Sequence, residues 1–218
     1  MQLIGMLDSP YVRRVAVSLQ LLGLPFEHRS VSVFRGFAEF QAINPVVKAP
    51  TLVCDDGTVL MDSTLILEYA EALAAPHRSL MPAGLAERRQ ALRVLGLALA
   101  ACEKSVQIVY EHNVRPPERL HQPWLDRVTG QLRVACTALE AELARRPLPT
   151  TGATMDQAGL STAVVWQFIR QATPEAAPAD AYPALQAYSA TVERLPEFAA
   201  APHGDGVYRA RPPGAAAP

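Results

Sequence analysis

The sequence changes period near Pro76, and few architectures accommodate both halves. Up to that point short β-rich or alternating runs are separated by turn residues; beyond it strand signals vanish and long helical stripes take over. Gln2–Met6 reads as a buried strand, and Pro10–Leu22 as a helix with Val12, Val15, Ala16, Leu19 and Leu22 on one stripe, stopped by Gly23 and Pro25. Phe26–Val33 alternates as a second strand, so strand–helix–strand implies a parallel pair with a right-handed crossover. Phe37–Ile43 is a short helix ended by Asn44-Pro45, and Thr51–Cys54 with Thr58–Met61 form a hairpin around Asp55-Asp56-Gly57. Ser63–Leu73 closes the unit as a helix. After Pro76, helices are predicted over Leu85–Val114, Trp124–Arg145, Asp156–Arg170 and Pro183–Leu195. The expected fold class is therefore α/β plus all-α: a β-α-β-α-β-β-α unit over 1–76, a helical bundle over 85–202, and a loosely held Pro/Gly/Ala-rich tail over 203–218.

Charge and composition remove several classes of function. The formal net charge of the 218 residues is −1, and residues 1–76 carry five Lys+Arg against eight Asp+Glu, so no basic surface is predicted for nucleic acid. No apolar run reaches the roughly 20 residues of a membrane span. Asp8, Arg13 and Arg14 come too early for a secretory signal, which points to the cytoplasm. Cys54, Cys102 and Cys136 are odd in number and widely spaced, with no Cys-x-x-Cys. They read as free thiols in a reducing compartment, and no metal site is expected. Lys48 and Lys104 are the only lysines among 20 basic residues, the codon bias of a GC-rich, bacterial genome.

Three short clusters in the first half fall where a site would be built. Ser9-Pro10-Tyr11 sits at a strand-to-helix junction, where a hydroxyl lies among free N–H groups at the positive helix end and favours a thiolate or other anion. By itself the cluster is a capped helix start. Lys48-Ala49-Pro50-Thr51-Leu52 opens a strand with a proline; a cis Ala49-Pro50 bond would turn the Ala49 backbone outward to pair with an extended peptide, whereas a trans bond would mark only the strand start. Asp62-Ser63 begins the next helix. Ser63 can offer hydroxyl and N–H to a carboxylate while Asp62 accepts from an ammonium, which suits an α-amino acid head group; the alternative is an N-cap pair.

In this order and spacing the chain resembles the glutathione transferases. Ser9-Pro10-Tyr11-Val12-Arg13 is similar to the serine-type active-site motif, Ala49-Pro50-Thr51-Leu52 to the cis-proline turn of the thioredoxin-like domain, and Asp62-Ser63 to the Glu/Asp-Ser pair for the γ-glutamyl end of glutathione. In the helical half, Tyr182–Leu185 through Arg194–Phe198 resembles the last common helix and its exit. The resemblance implies Ser9 as the catalytic hydroxyl that stabilises the glutathione thiolate, Ala49 beside Pro50 as the backbone that pairs with the cysteinyl residue, and Asp62 with Ser63 as the γ-glutamyl site. It makes Lys48 and Arg35 candidates for the glycyl carboxylate. Tyr11 is a rival for the activating hydroxyl, and Arg13 is expected to pair across the domain boundary. A second-substrate pocket is expected around Leu7, Phe34, Val106 and Tyr110, with Trp166 in the core. The sequence departs from the family at Asp156-Gln157-Ala158-Gly159, which has a capping residue but no acid at the third helical position. No cysteine replaces Ser9, which disfavours the branch that forms mixed disulfides.

The implied function is conjugation of glutathione, as co-substrate, to a small electrophilic apolar compound by a homodimer, with neither nucleic acid nor membrane as partner. Two other readings stand beside it: a non-catalytic glutathione-transferase-like module for protein association, and a ligandin-like carrier of apolar compounds.

Overall fold

The computed structural model describes residues 1–208. Its residues group into two compact units, Met1–Leu80 with Arg194–Pro218, and Met81–Glu193.

The first unit is built on four short strands, β1 (Gln2–Ile4), β2 (Glu27–Arg29), β3 (Thr51–Val53) and β4 (Val59–Met61), with helices α1 (Pro10–Leu21), α2 (Phe37–Ile43) and α3 (Ser63–Ala74) between and after them. Spatial order is β2-β1-β3-β4, with β1 parallel to β2 and antiparallel to β3, and β3 antiparallel to β4. Strand β2 is three residues where the alternation predicted Phe26–Val33, because pairing with β1 ends at Arg29. Leu3 faces Leu52 across the β1–β3 ladder and both are buried. Ile4, one residue on, joins Val31 and Phe40 of α2 in a cluster on the other side. Helices α1 and α3 pack together and against β1 and β4 respectively. Gly57, at φ +84°, closes the β3–β4 hairpin by donating its N–H to Cys54 O.

Helix α1 departs from a one-sided stripe. Val12, Val15, Ala16 and Leu19 are buried as the period requires, yet Arg13, Arg14 and Ser18 are buried as well. For Arg13 the reason is the chain's return. Residues 194–208, including α8 (Pro196–Ala199), pack on this unit: Arg13 Nε donates to Ala201 O at 2.8 Å and its guanidinium lies 5.8 Å from the Phe198 ring centre. These partners of Arg13 fall inside the 85–202 range expected for the helical domain, but they group with the sheet. For the same reason the expected helical domain, 85–202, is too long at its C-terminal end, since residues 194–202 group with the sheet. The described part of the expected tail, 203–208, is also held. Ser30 Oγ donates to Asp205 O at 2.8 Å, Tyr208 N–H donates to His28 Nδ1 at 2.9 Å, and the Tyr208 ring stacks on Phe26 at 4.5 Å. The rest of that tail, 209–218, lies outside the described residues.

The second unit consists of α4 (Leu85–Val114), α5 (Gln122–Arg145), α6 (Gln157–Ala172) and α7 (Pro183–Val192). Helix α4 packs on α5 and α6, and α7 on α5 and α6. Helix α6 is buried on nearly every side; Trp166 lies in this core with its Nε1 donating to Gln186 Oε1 at 3.1 Å and its ring edge-on to Tyr182. Asp156 caps α6 by accepting from Gly159 N at 2.8 Å, and Glu140 caps α7 by accepting from the N–H groups of Ala184 and Leu185. Among the described residues no helix is long and apolar enough to cross a membrane.

Candidate functional site

Glycine at position 5 lets three segments of the first unit meet. Gly5 has φ +134°, and a Cβ there would stand 2.6 Å from Val12 Cγ2 and 3.2 Å from Ala49 Cβ. Any side chain would push apart the end of β1, the first turn of α1 and the loop before β3. Two of the three sequence clusters, at Ser9 and at Ala49, are thereby brought side by side.

Ser9 has extended backbone angles and caps α1, its Oγ accepting from Val12 N at 3.4 Å while its carbonyl accepts from Arg13 N at 2.9 Å. The 3.4 Å contact is long for a hydrogen bond, so the half-buried hydroxyl keeps its proton and most of its accepting capacity for a ligand. Asp8 precedes it. Partial burial pushes the Asp8 carboxyl up from its ordinary range, against the pull of His203, the Ser9 N–H and Arg35, with Asp205 adding a smaller upward push. Arg35 is exposed, and its charge acts on Asp8. Tyr11 lies half-buried in the first turn of α1.

The loop between α2 and β3 is shaped by a buried asparagine. Asn44 Nδ2 donates to Thr51 Oγ1 at 2.8 Å, Thr51 Oγ1 donates to Lys48 O at 2.7 Å, and Asn44 Oδ1 accepts from Val46 N at 3.0 Å. Within this frame Val47 sits at φ +52°, a conformation unfavourable for a β-branched residue, and the Ala49–Pro50 bond is cis. The Ala49 N–H and C=O make no hydrogen bond among the described residues, so both can serve an extended ligand. The sequence assigned roles to Lys48, Ala49 and Pro50 but none to the side chains of Asn44 and Thr51; the Asn-Pro step after a helix was the available signal.

The third cluster adjoins the second. Asp62 stands at φ +74° and caps α3, with Oδ1 accepting from Thr64 N at 2.9 Å and Oδ2 3.8 Å from Lys48 Nζ. Positive φ at a residue that is neither glycine nor asparagine is uncommon, and Val47 and Asp62 are the instances among the described residues. Ser63 is buried, and its Oγ accepts from Arg14 Nη1 at 3.0 Å; Thr64 Oγ1 accepts from the same nitrogen at 3.3 Å. Arg14, from the face of α1 that the helical period marked as polar, was missed by sequence reading.

The expected second-substrate residues are placed differently. Leu7 is 0% exposed, locked into the core between β1 and α1, so its side chain offers no surface to a ligand; this corrects its assignment. Phe34 is 58% exposed ahead of α2. Val106 and Tyr110 are on α4 of the second unit, half-buried and exposed respectively. No group of three or more His, Cys, Asp or Glu able to hold a metal occurs among the described residues.

A β-α-β-α-β-β-α sheet of this order, with a proline-led third strand and a capped third helix, defines a thioredoxin-like domain, here followed by a helical unit. Residues 3–78 match the glutathione S-transferase N-terminal domain. A crystal structure of a glutathione transferase family member from Pseudomonas fluorescens Pf-5, with bound S-(propanoic acid)-glutathione, is 28% identical and covers 92% of this chain and 98% of its own, at a TM-score of 0.76. A glutathione S-transferase from Methylobacterium radiotolerans, solved in complex with glutathione sulfonate, covers 99% and 98% at 25% identity and a TM-score of 0.82. The uncharacterised GST-like protein YibF of Escherichia coli (strain K12) is 26% identical over 80% of this chain and 85% of its own. Residues 3–78 thus carry the glutathione S-transferase N-terminal domain, and the chain as a whole is similar to glutathione transferase family members.

Proposed function

We propose that this protein is a glutathione transferase that activates the glutathione thiol at Ser9 and transfers it to a small electrophilic compound. The observation that carries the reading is the convergence of the three clusters: Gly5 joins the first turn of α1 to Ala49, and Lys48 reaches Asp62. The Ser9 hydroxyl and the free N–H groups of α1 would stabilise the thiolate. Ala49, beside Pro50, would pair with the cysteinyl backbone, and Asp62 with Ser63 would take the ammonium and carboxylate of the γ-glutamyl group. Lys48 and Arg35, both exposed cations of this unit, would meet the glycyl carboxylate. Phe34, exposed ahead of α2, would remain as a second-substrate contact of this unit. Retained glutathione-binding groups favour an enzyme over an interaction module.

A homodimer is part of the same reading. Helix α3 presents Leu65, Tyr69 and Leu73 to solvent at i, i+4 and i+8, and α4 exposes Leu85 and Leu92. Three free, buried cysteines suit a reducing cytoplasm. Calorimetric titration with glutathione and turnover of a chloro-nitroaromatic acceptor test the activity. Binding without turnover would leave a carrier, and neither would leave an interaction module. Light scattering at micromolar concentration tests the dimer.

A further inference from the structure

We propose that Asp8 is a catalytic proton donor, which suits the site to electrophiles whose reaction ends in proton uptake, activated alkenes such as enones, over those that expel a halide. The proposal rests on the reading that Ser9 activates glutathione, and it names the class of acceptor that the same site takes. Asp8 immediately precedes Ser9, on the turn that feeds α1. Its side chain is open to solvent and so to a ligand, yet charges from two other segments act on its carboxyl. Arg35 comes from the stretch ahead of α2, and His203 and Asp205 from the returning chain. That chain is pinned on both sides of His203. Arg13 Nε donates to Ala201 O at 2.8 Å, Ser30 Oγ donates to Asp205 O at 2.8 Å, and Tyr208 N–H donates to His28 Nδ1 at 2.9 Å. Four titratable groups from three segments therefore meet beside the Ser9 hydroxyl, and thiolate formation uses none of them.

The chemistry separates two kinds of acceptor. Bound glutathione gives up its thiol proton to water. In addition to an enone, the thiolate pair forms the C–S bond at the β-carbon and the alkene π pair moves onto the carbonyl as an enolate. The Asp8 carboxyl then protonates the α-carbon and recovers a proton from water, so atoms and charge balance over the cycle. Displacement of chloride from an activated ring forms the same C–S bond but expels chloride, and no proton is needed. Packing of the returning chain favours the donor role, because partial burial pushes the Asp8 carboxyl up from its ordinary range. Asp205 adds a smaller upward push, while His203, the Ser9 N–H and Arg35 pull the other way. Phe34, exposed next to Arg35, offers an apolar ring to the substituents of such an alkene.

The test compares two acceptors at saturating glutathione: benzylideneacetone, an enone, and chlorodinitrobenzene, which loses chloride. Asp8→Asn keeps the shape of the side chain and discards its proton. It should lower the ratio of kcat/KM for the enone to that for the chloride about 10- to 100-fold, and Asp8→Glu should regain most of the loss. The pH profile gives a second reading. Wild-type turnover of the enone should fall as pH rises through the Asp8 value, since only the protonated carboxyl donates, and Asp8→Asn should lose that falling limb. An unchanged ratio in Asp8→Asn, or a falling limb that survives it, would overturn the role of Asp8 while leaving activation at Ser9 standing. Equal losses for both acceptors would do the same, because a structural or thiolate-forming role moves them together. Wild type that turns over the chloride but not the enone would overturn the acceptor class, and wild type that turns over neither would overturn the transferase reading with it.

Discussion

Two helix starts in the first unit, at Ser9 and at Asp62, are both capped, yet they are built in opposite ways. Ser9 caps α1 with ordinary extended angles and a long 3.4 Å contact, beside the carboxyl of Asp8. Asp62 caps α3 from φ +74° with a 2.9 Å bond, beside Lys48 and next to the Arg14–Ser63 pair. On the proposed function, the weak cap would leave a hydroxyl adaptable enough to follow a sulfur whose charge changes during reaction, and the strained cap would hold fixed donors and acceptors for a group whose charges do not change.

Removing the hydroxyl from the weaker cap should have the largest effect. Ser9→Ala is expected to lower kcat for conjugation about 10- to 1,000-fold, a loss of roughly 1.4–4 kcal/mol, with a much smaller change in glutathione affinity. Steady-state kinetics and titration on the same preparation separate the two; full activity would transfer the activating role to Tyr11 or to backbone amides. At the other end, Asp62→Asn keeps a side chain that tolerates positive φ and can cap Thr64 but discards the charge. Glutathione affinity should fall about 10- to 100-fold with kcat nearly unchanged, as measured by calorimetry and saturating turnover. An unchanged Kd would remove Asp62 from the γ-glutamyl site.

The junction between the clusters is tested by Gly5→Ala. The added methyl meets Val12 at 2.6 Å in a backbone region that L-residues avoid, so stability should drop by about 1–3 kcal/mol in denaturant unfolding. The smallest effect is set by pH. His28 donates from Nε2 to Gly5 O at 2.7 Å and accepts at Nδ1 from Tyr208 N, an arrangement that only the neutral ring allows. Burial holds its pKa below the ordinary histidine value, against the Gly5 bond. Its contribution to stability is therefore complete above about pH 6.5 and is lost as pH falls from there through the lowered folded value. Denaturation midpoints should decline across that window, and His28→Gln should flatten the decline.

What the sequence conveyed follows from how local each signal was. Helix α4 runs Leu85–Val114, as its breakers Gly84 and Pro116 dictate, and the Asp55-Asp56-Gly57 turn sets the β3–β4 hairpin because both are decided within a few residues. The three clusters were legible for the same reason, each being a short word at an element's start. Arg14 was not, because its partner lies 49 residues away and helical period alone assigns it to the solvent side. Leu7 was misplaced from its position after a strand, when packing decides that it is core. Docking of residues 194–208 left no trace in composition: Pro, Gly and Ala read as slack chain, whereas Ala201 contributes a carbonyl and Asp205 and Tyr208 backbone groups that any residue type could have supplied.

That returning segment has a consequence for synthesis. The first unit is discontinuous in sequence, closed only by residues that follow the entire helical unit. At about 5–20 residues per second, the helical unit takes roughly 6–23 s to translate, and over that interval the nascent sheet has no Ala201 carbonyl for Arg13 and no Tyr208 amide for His28. Ribosome-bound chains stalled before Arg194 should therefore carry a protease-sensitive first unit that becomes resistant once residue 208 has cleared the exit tunnel, so that a stretch of chain made after the helices seals the sheet made before them.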